Sequence, residues 1–92
     1  MLKIKFTKRF KRDYKKCIKR GYDARLLETA VELIQRQEPL PPEYCDHSLQ
    51  NSKEYKDARE CHLMPDWLLV YQVRAEELVL RLMRTGSHSD LF

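Results

Sequence analysis

Ninety-two residues, 35% of them charged, carry a formal net charge of +4, and a chain of this length makes one domain with no room for a second. Such a small domain buries only about 60 to 65% of the surface its unfolded chain exposes, so its stability is modest and a tight partner adds much to it. No run approaches the roughly 20 apolar residues of a membrane span, and Met1 to Phe6 lacks the apolar run of a secretion signal, so the expected location is the cytoplasm.

Leu2 to Phe6 alternates Leu, Ile and Phe with Lys, which predicts a short strand with one buried face. Thr7 offers an N-cap hydroxyl. From Lys8 to about Arg20, Phe10, Tyr14, Cys17 and Ile18 recur at helical spacing, while Lys8, Arg9, Lys11, Arg12, Lys15, Lys16, Lys19 and Arg20 fill most other positions. Residues 1 to 25 hold eleven Lys or Arg against Asp13 and Asp23, a balance of +9, whereas the remainder balances at −5. That asymmetry points to contact with a polyanion such as RNA, or simply to a solvated basic helix face.

Gly21 is a C-terminal stop, and Asp23 can cap a second helix whose stripe is Leu27, Ala30, Val31 and Ile34, flanked by Leu26 and Leu33. Pro39, Pro41 and Pro42 end it, because proline has no amide donor. A loop is predicted to about Lys53. Three strand-like runs follow, at about Tyr55 to Leu63, Trp67 to Val73 and Leu78 to Arg84, and their short connections favour an antiparallel meander. The fold class is therefore α+β: a small antiparallel sheet of the N-terminal strand plus the meander, with the helical hairpin on one face and the other face open.

Period-two alternation sends Cys61 and Leu63 to one face of the first meander strand and Glu60 and His62 to the other. The three histidines all sit in polar or turn-like contexts, at His47, His62 and His88. Cys17, Cys45 and Cys61 are an odd count without paired C-x-x-C spacing, so reduced thiols are expected, and no metal motif is present.

Arg59-Glu60-Cys61-His62, followed by Pro65-Asp66-Trp67-Leu68-Leu69-Val70-Tyr71, resembles the R-E-C-H and P-D-W-L-L-I-Y core of YafQ-type toxins. Asp46-His47-Ser48-Leu49 is similar to that family's D-H-x-L, and Arg84 to Phe92 to its R-T-G-[ST]-H-x-x-L-F ending. The stretch 51–58 departs from the family's G-x-W-x-G-[YF], lacking both glycines, and contains Lys53 and Lys56. The resemblance spans essentially the whole chain and implies the RelE superfamily of type II toxin-antitoxin systems.

What it implies is a ribosome-dependent endoribonuclease that cleaves messenger RNA, a monomer when free, inhibited by a cognate antitoxin and needing no cofactor or metal. It implies an active site of His47, His62, Asp66, Trp67, His88 and Phe92, with Glu60 and Arg84 as neighbours. Residue chemistry suits that role, since cleavage through RNA's own 2′-hydroxyl needs a base, an acid and a cation. Histidine titrates near neutral pH, Arg84 or Arg59 can meet two phosphate oxygens, and Trp67 and Phe92 can stack on bases. The basic first helix, from Lys8 to Arg20, would hold ribosomal RNA.

On residue chemistry alone, Trp67 also reads as core, Phe92 as a pinned terminus and Asp66 as a turn residue. Three rival functions remain open at this stage. They are a non-catalytic toxin of the same fold acting on DNA gyrase, like the ParE group; a zinc site of His47, His62 and His88 with Cys45 or Cys61; and a plain nucleic-acid-binding module.

Overall fold

The computed structural model describes residues 1–49 and 55–92. Lys53, and part of the stretch that departs from the family pattern, lie outside the described residues. In chain order the elements are β1 (Lys3–Phe6), α1 (Lys8–Lys19), α2 (Ala24–Gln35), β2 (His47–Ser48), β3 (Arg59–Met64), β4 (Trp67–Arg74), β5 (Val79–Gly86) and α3 (His88–Leu91), with short 3-10 turns at Pro42–Tyr44 and Ala75–Glu77.

Both long helices begin where a side-chain oxygen can satisfy an amide that lacks an intrahelical partner. Thr7 Oγ1 accepts from the Phe10 amide at 3.0 Å, and Asp23 Oδ1 accepts from the Arg25 amide at 3.0 Å. Gly21 takes a left-handed φ of +89° between the helices, a conformation costly for residues with a Cβ. The hairpin packs Phe10 and Cys17 of α1 and Leu27, Ala30, Val31 and Ile34 of α2 against Cys61, Leu63, Trp67, Leu69, Tyr71, Leu80 and Leu82. Ile18 and Leu26 do not join this core; both are exposed.

The sheet has the order β1-β5-β4-β3-β2. The meander is antiparallel as expected, with Cys61 opposite Leu69 and Leu69 opposite Thr85. Three features differ from expectation. β1 pairs with β5 in parallel, Ile4 lying opposite Leu80, so the sheet is mixed. The reason is topological: β1 runs into α1, and that helix crosses the sheet before the chain returns through β5 at the edge where β1 lies. Next, His47 and Ser48 are not loop but a fifth strand, whose register sets His47 opposite Glu60 and Ser48 opposite Arg59. Finally, the face away from the hairpin is partly covered. Leu68 and Val70 form a second cluster there with Tyr55, Ala58 and Leu91, which explains why β4 reads as an unbroken apolar run.

Candidate active site

Cross-strand register assembles the polar residues of this second face. His47, Glu60, Val70 and Arg84 lie in one row across β2, β3, β4 and β5, and His62, Leu68 and Gly86 lie in the next. Residues opposite one another share a face, so His47, Glu60, His62 and Arg84 all project to the side away from the helical hairpin. Glu60 is only 5% exposed and lies between two imidazoles, with Oε1 at 3.7 Å from His47 Nε2 and 3.8 Å from His62 Nε2. Either ring, once protonated, is within ion-pair reach of it.

The third histidine arrives from the C-terminus. Gly86 ends β5 with φ +155°, and a Cβ built there would stand 2.8 Å from Asp90 Oδ2, so glycine is required both by conformation and by space. Ser87 and Asp90 form a reciprocal capping box on α3, with the Ser87 amide donating to Asp90 Oδ2 at 2.9 Å and the Asp90 amide donating to Ser87 Oγ at 3.2 Å. The Arg20 guanidinium grips both Asp90 oxygens. Chiefly because of Arg20, and then of the Ser87 amide, the Asp90 carboxyl lies far below the usual carboxylate range.

This turn sets the His88 ring against His62, with 5.7 Å between ring centroids at 62°. Asp66, from the turn between β3 and β4, accepts from the His88 amide at 2.9 Å and meets His88 Nδ1 at 2.6 Å. The amide first, and the ring second, hold the Asp66 carboxyl below its ordinary value. An ionised carboxylate can only accept, so Nδ1 carries a proton and the lone pair of the neutral ring lies on Nε2. His47 is oriented the same way, its Nδ1 lying 2.8 Å from the Cys45 carbonyl oxygen, another obligate acceptor.

Arg84 is fixed rather than free. Its Nε and Nη2 donate to Asp13 Oδ2 and Oδ1 at 2.7 and 3.0 Å, and Nη1 donates to the Tyr55 hydroxyl at 3.3 Å. Tyr55 in turn meets Phe92 edge to face, with centroids 6.3 Å apart.

Four sequence-derived expectations need correction. Trp67 is 0% exposed on the hairpin side, its indole N–H donating to Thr85 Oγ1 at 2.8 Å and its ring against Tyr22, so it cannot stack on a base. Arg59 points away from the histidines and grips Asp46 at 3.1 and 3.3 Å, leaving Arg84 as the arginine on the histidine face. Arg20 is committed to Asp90 and holds α3. His47 belongs to the sheet and not to a loop. Phe92, by contrast, is 64% exposed beside Tyr55. Lys8, Arg9, Lys11, Arg12, Lys15, Lys16 and Lys19 all lie on exposed surfaces of α1.

Sequence reasoning missed Asp13, Tyr55 and Asp90. Two signals were present: Asp13 is the one acid in a strongly basic helix, and Ser87 with Asp90 has the spacing of a capping box. Among the described residues, no group of three His, Cys, Asp or Glu side chains is gathered closely enough to hold a metal ion.

Residues 2–92 match the family described as the bacterial toxin of type II toxin-antitoxin system, YafQ. The mRNA interferase toxin YafQ of Escherichia coli (strain B / BL21-DE3) is 39% identical over 90 residues, covering 97% of this chain and 94% of that one. Among solved structures, a metal-bound toxin from Helicobacter pylori is similar at a TM-score of 0.93 and 48% identity, over 100% of both chains. The E. coli DinJ-YafQ toxin-antitoxin complex matches at a TM-score of 0.86 and 36% identity, over 99% of this chain and 97% of that one. The chain belongs to the YafQ family of bacterial type II toxins.

Proposed function

We propose that this toxin is an endoribonuclease that cuts messenger RNA on the ribosome, using acid–base catalysis through RNA's own 2′-hydroxyl, in the cytoplasm. The observation that carries the reading is the run of neighbouring proton carriers on one side of the sheet: His47, Glu60 and His62 on its strands, and His88 held by Asp66 packed against them, with Arg84 alongside. The substrate class follows the relatives, which are mRNA interferases.

In the proposed reaction the 2′-oxygen attacks phosphorus as a base removes its proton, and the P–O5′ bond breaks as an acid supplies a proton to the departing oxygen. No water enters this step. His62 and His88 share the two transfers, which suits adjacent imidazoles addressing two oxygens of one phosphorus; each such transfer is worth roughly 10² to 10⁴ in rate. Asp66 and the Cys45 carbonyl fix the tautomers of His88 and His47. Arg84 neutralises charge building on the phosphorane, and exposed Phe92 offers a ring to an unstacked base.

Two of the H. pylori neighbours were solved with metal bound, one of them a mutant holding copper. Among the described residues no three His, Cys, Asp or Glu side chains are gathered closely enough to hold an ion, and the proposed reaction is written with side chains alone. An ion on these imidazoles would occupy the lone pairs that acid–base work needs. Copper is therefore expected to inhibit, while a chelator selective for zinc and copper, with Mg²⁺ kept for the ribosome, leaves cleavage unchanged.

A cognate antitoxin is the expected inhibitor, as DinJ partners YafQ in the E. coli complex. Lys11 and Lys15, together with Glu28 and Glu32, rim an apolar groove of about 690 Å³ lined by Ile4, Phe6, Phe10, Tyr14 and Val31. An amphipathic antitoxin segment that fills the groove with apolar side chains and sets its acids against Lys11 and Lys15 would match that surface, folding on contact.

The test is cleavage of ribosome-bound message by His62→Ala/His88→Ala. Loss of cut ends with unchanged circular dichroism and ribosome binding supports the reading. Full retained toxicity would make this a plain nucleic-acid-binding module, and intact message with inhibited gyrase would make it a ParE-like toxin.

A further inference from the structure

Asp13 is an acid in a helix whose other charged residues are all cations, yet its carboxylate is turned inward. Its side chain is 11% exposed and that of Arg84 is 13%, so the pair is shut off from most of the screening that weakens surface ion pairs. The geometry is the side-on fork in which Nε and Nη2 each meet one carboxylate oxygen. A third donor, the Thr85 amide, reaches Asp13 Oδ2 at 3.3 Å, and the Tyr55 hydroxyl takes Nη1 from the other side.

We propose that Asp13 is a positioning residue of the active site: it clamps Arg84 so that the guanidinium is already aimed at the scissile phosphate before RNA arrives. This rests on the reading that Arg84 stabilises the phosphorane. Three of its five N–H donors are engaged by Asp13 and Tyr55, and two remain for phosphate oxygens. An unclamped arginine would first lose its rotamer freedom in each turnover, and its donors would not be preorganised for the charge that develops.

A carboxylate so near a reacting phosphate also opposes it by like-charge repulsion, so two effects compete. They predict opposite outcomes when the negative charge alone is removed. If positioning wins, Asp13→Asn, which can accept only one of the two bonds, slows cleavage. If repulsion wins, the same change speeds it.

The experiment is a double-mutant cycle of Asp13→Ala, Arg84→Ala and the double variant, with Asp13→Asn beside them, all as the full chain. Cleavage of ribosome-bound message is resolved into kcat and KM, with thermal unfolding monitored throughout. Asp13→Ala is expected to lower kcat at least about tenfold with KM within about twofold, and the double variant to be no slower than Arg84→Ala alone. Asp13→Asn should fall between wild type and Asp13→Ala; because it is isosteric, it carries the test if Asp13→Ala fails to fold. Wild-type kcat in a folded Asp13 variant while Arg84→Ala is crippled would overturn the clamp. So would a faster Asp13→Asn, or an Asp13→Ala defect that multiplies that of Arg84→Ala. Wild-type kcat in Arg84→Ala would instead remove the cation's role, and the clamp with it.

Discussion

At the residue scale, the proposed chemistry needs His88 to be both oriented and titratable. Its amide and its Nδ1 bind the same Asp66 oxygen, so Asp66 fixes the backbone and the ring together. His88→Gln keeps the size and a hydrogen bond to Asp66 but cannot carry a proton between oxygens. It is expected to lower the cleavage rate at least about a hundredfold while ribosome affinity stays near wild type. Equal losses in affinity and rate would make His88 a binding residue only. Asp66 gives a second check. Its carboxyl is depressed in the folded chain, so the contact with His88 stabilises fully above the ordinary carboxylate value, near pH 4, and is lost as pH falls through the lowered value. A carboxyl-carbon titration should find an Asp66 midpoint below about 3.9. A midpoint at or above that value would mean that the contact does not persist in solution.

Glu60 and His62 were legible at this scale because strand alternation alone puts them opposite Cys61 and Leu63. The same alternation puts Arg59 with Cys61, a signal present in the sequence that the phosphate-binding expectation overrode. Trp67 misled for another reason. Its position after Pro65-Asp66 matches the family motif, but it shares the hairpin side of β4 with Leu69, where its indole reaches the Thr85 hydroxyl, and which side of β4 meets the hairpin is set by tertiary packing that no local pattern encodes.

At the element scale, the two helices and the meander follow from caps, stripes and turns, which are local. What stayed hidden was non-local. The parallel pairing of β1 with β5 joins residues separated by most of the chain, and β2 is a strand only because β3 supplies its partner. The C-terminal segment was legible in outline from Gly86, whose conformational freedom suggests a chain that folds back. The structure adds why no other residue serves, since a Cβ would meet the Asp90 carboxylate. Gly86→Ala should therefore destabilise the fold by about 1–3 kcal/mol and slow cleavage by displacing α3. Unchanged unfolding temperature and rate would show that the turn adapts freely.

Helix α1 has two sides with different work. Asp13 faces inward to Arg84 and Arg20, at the C-cap, ties down Asp90 at the surface, while Lys11, Arg12, Lys15 and Lys16 face solvent. Reversing those four to Glu should weaken ribosome binding and flatten its dependence on salt, because each lost phosphate contact removes released counterions from the slope. Unfolding should change little. Unaltered binding at physiological salt would take this helix out of the ribosome interface.

At the scale of the whole molecule, the sheet separates two duties. One face carries the hairpin and most of the core; the other carries the histidines around a small apolar patch closed by Leu91. Such a division lets a small domain keep its stability on one side while the polar groups assigned to RNA in the proposed function occupy the other. In the proposed function this second face cuts RNA by 2′-hydroxyl attack with histidines as proton carriers. The most direct measurement is the chemistry of the ends left on ribosome-bound message. Attack by the 2′-oxygen leaves a 2′,3′-cyclic phosphate or a 3′-phosphate upstream and a 5′-hydroxyl downstream. A 3′-hydroxyl with a 5′-phosphate would mean that water attacks instead, and would contradict it.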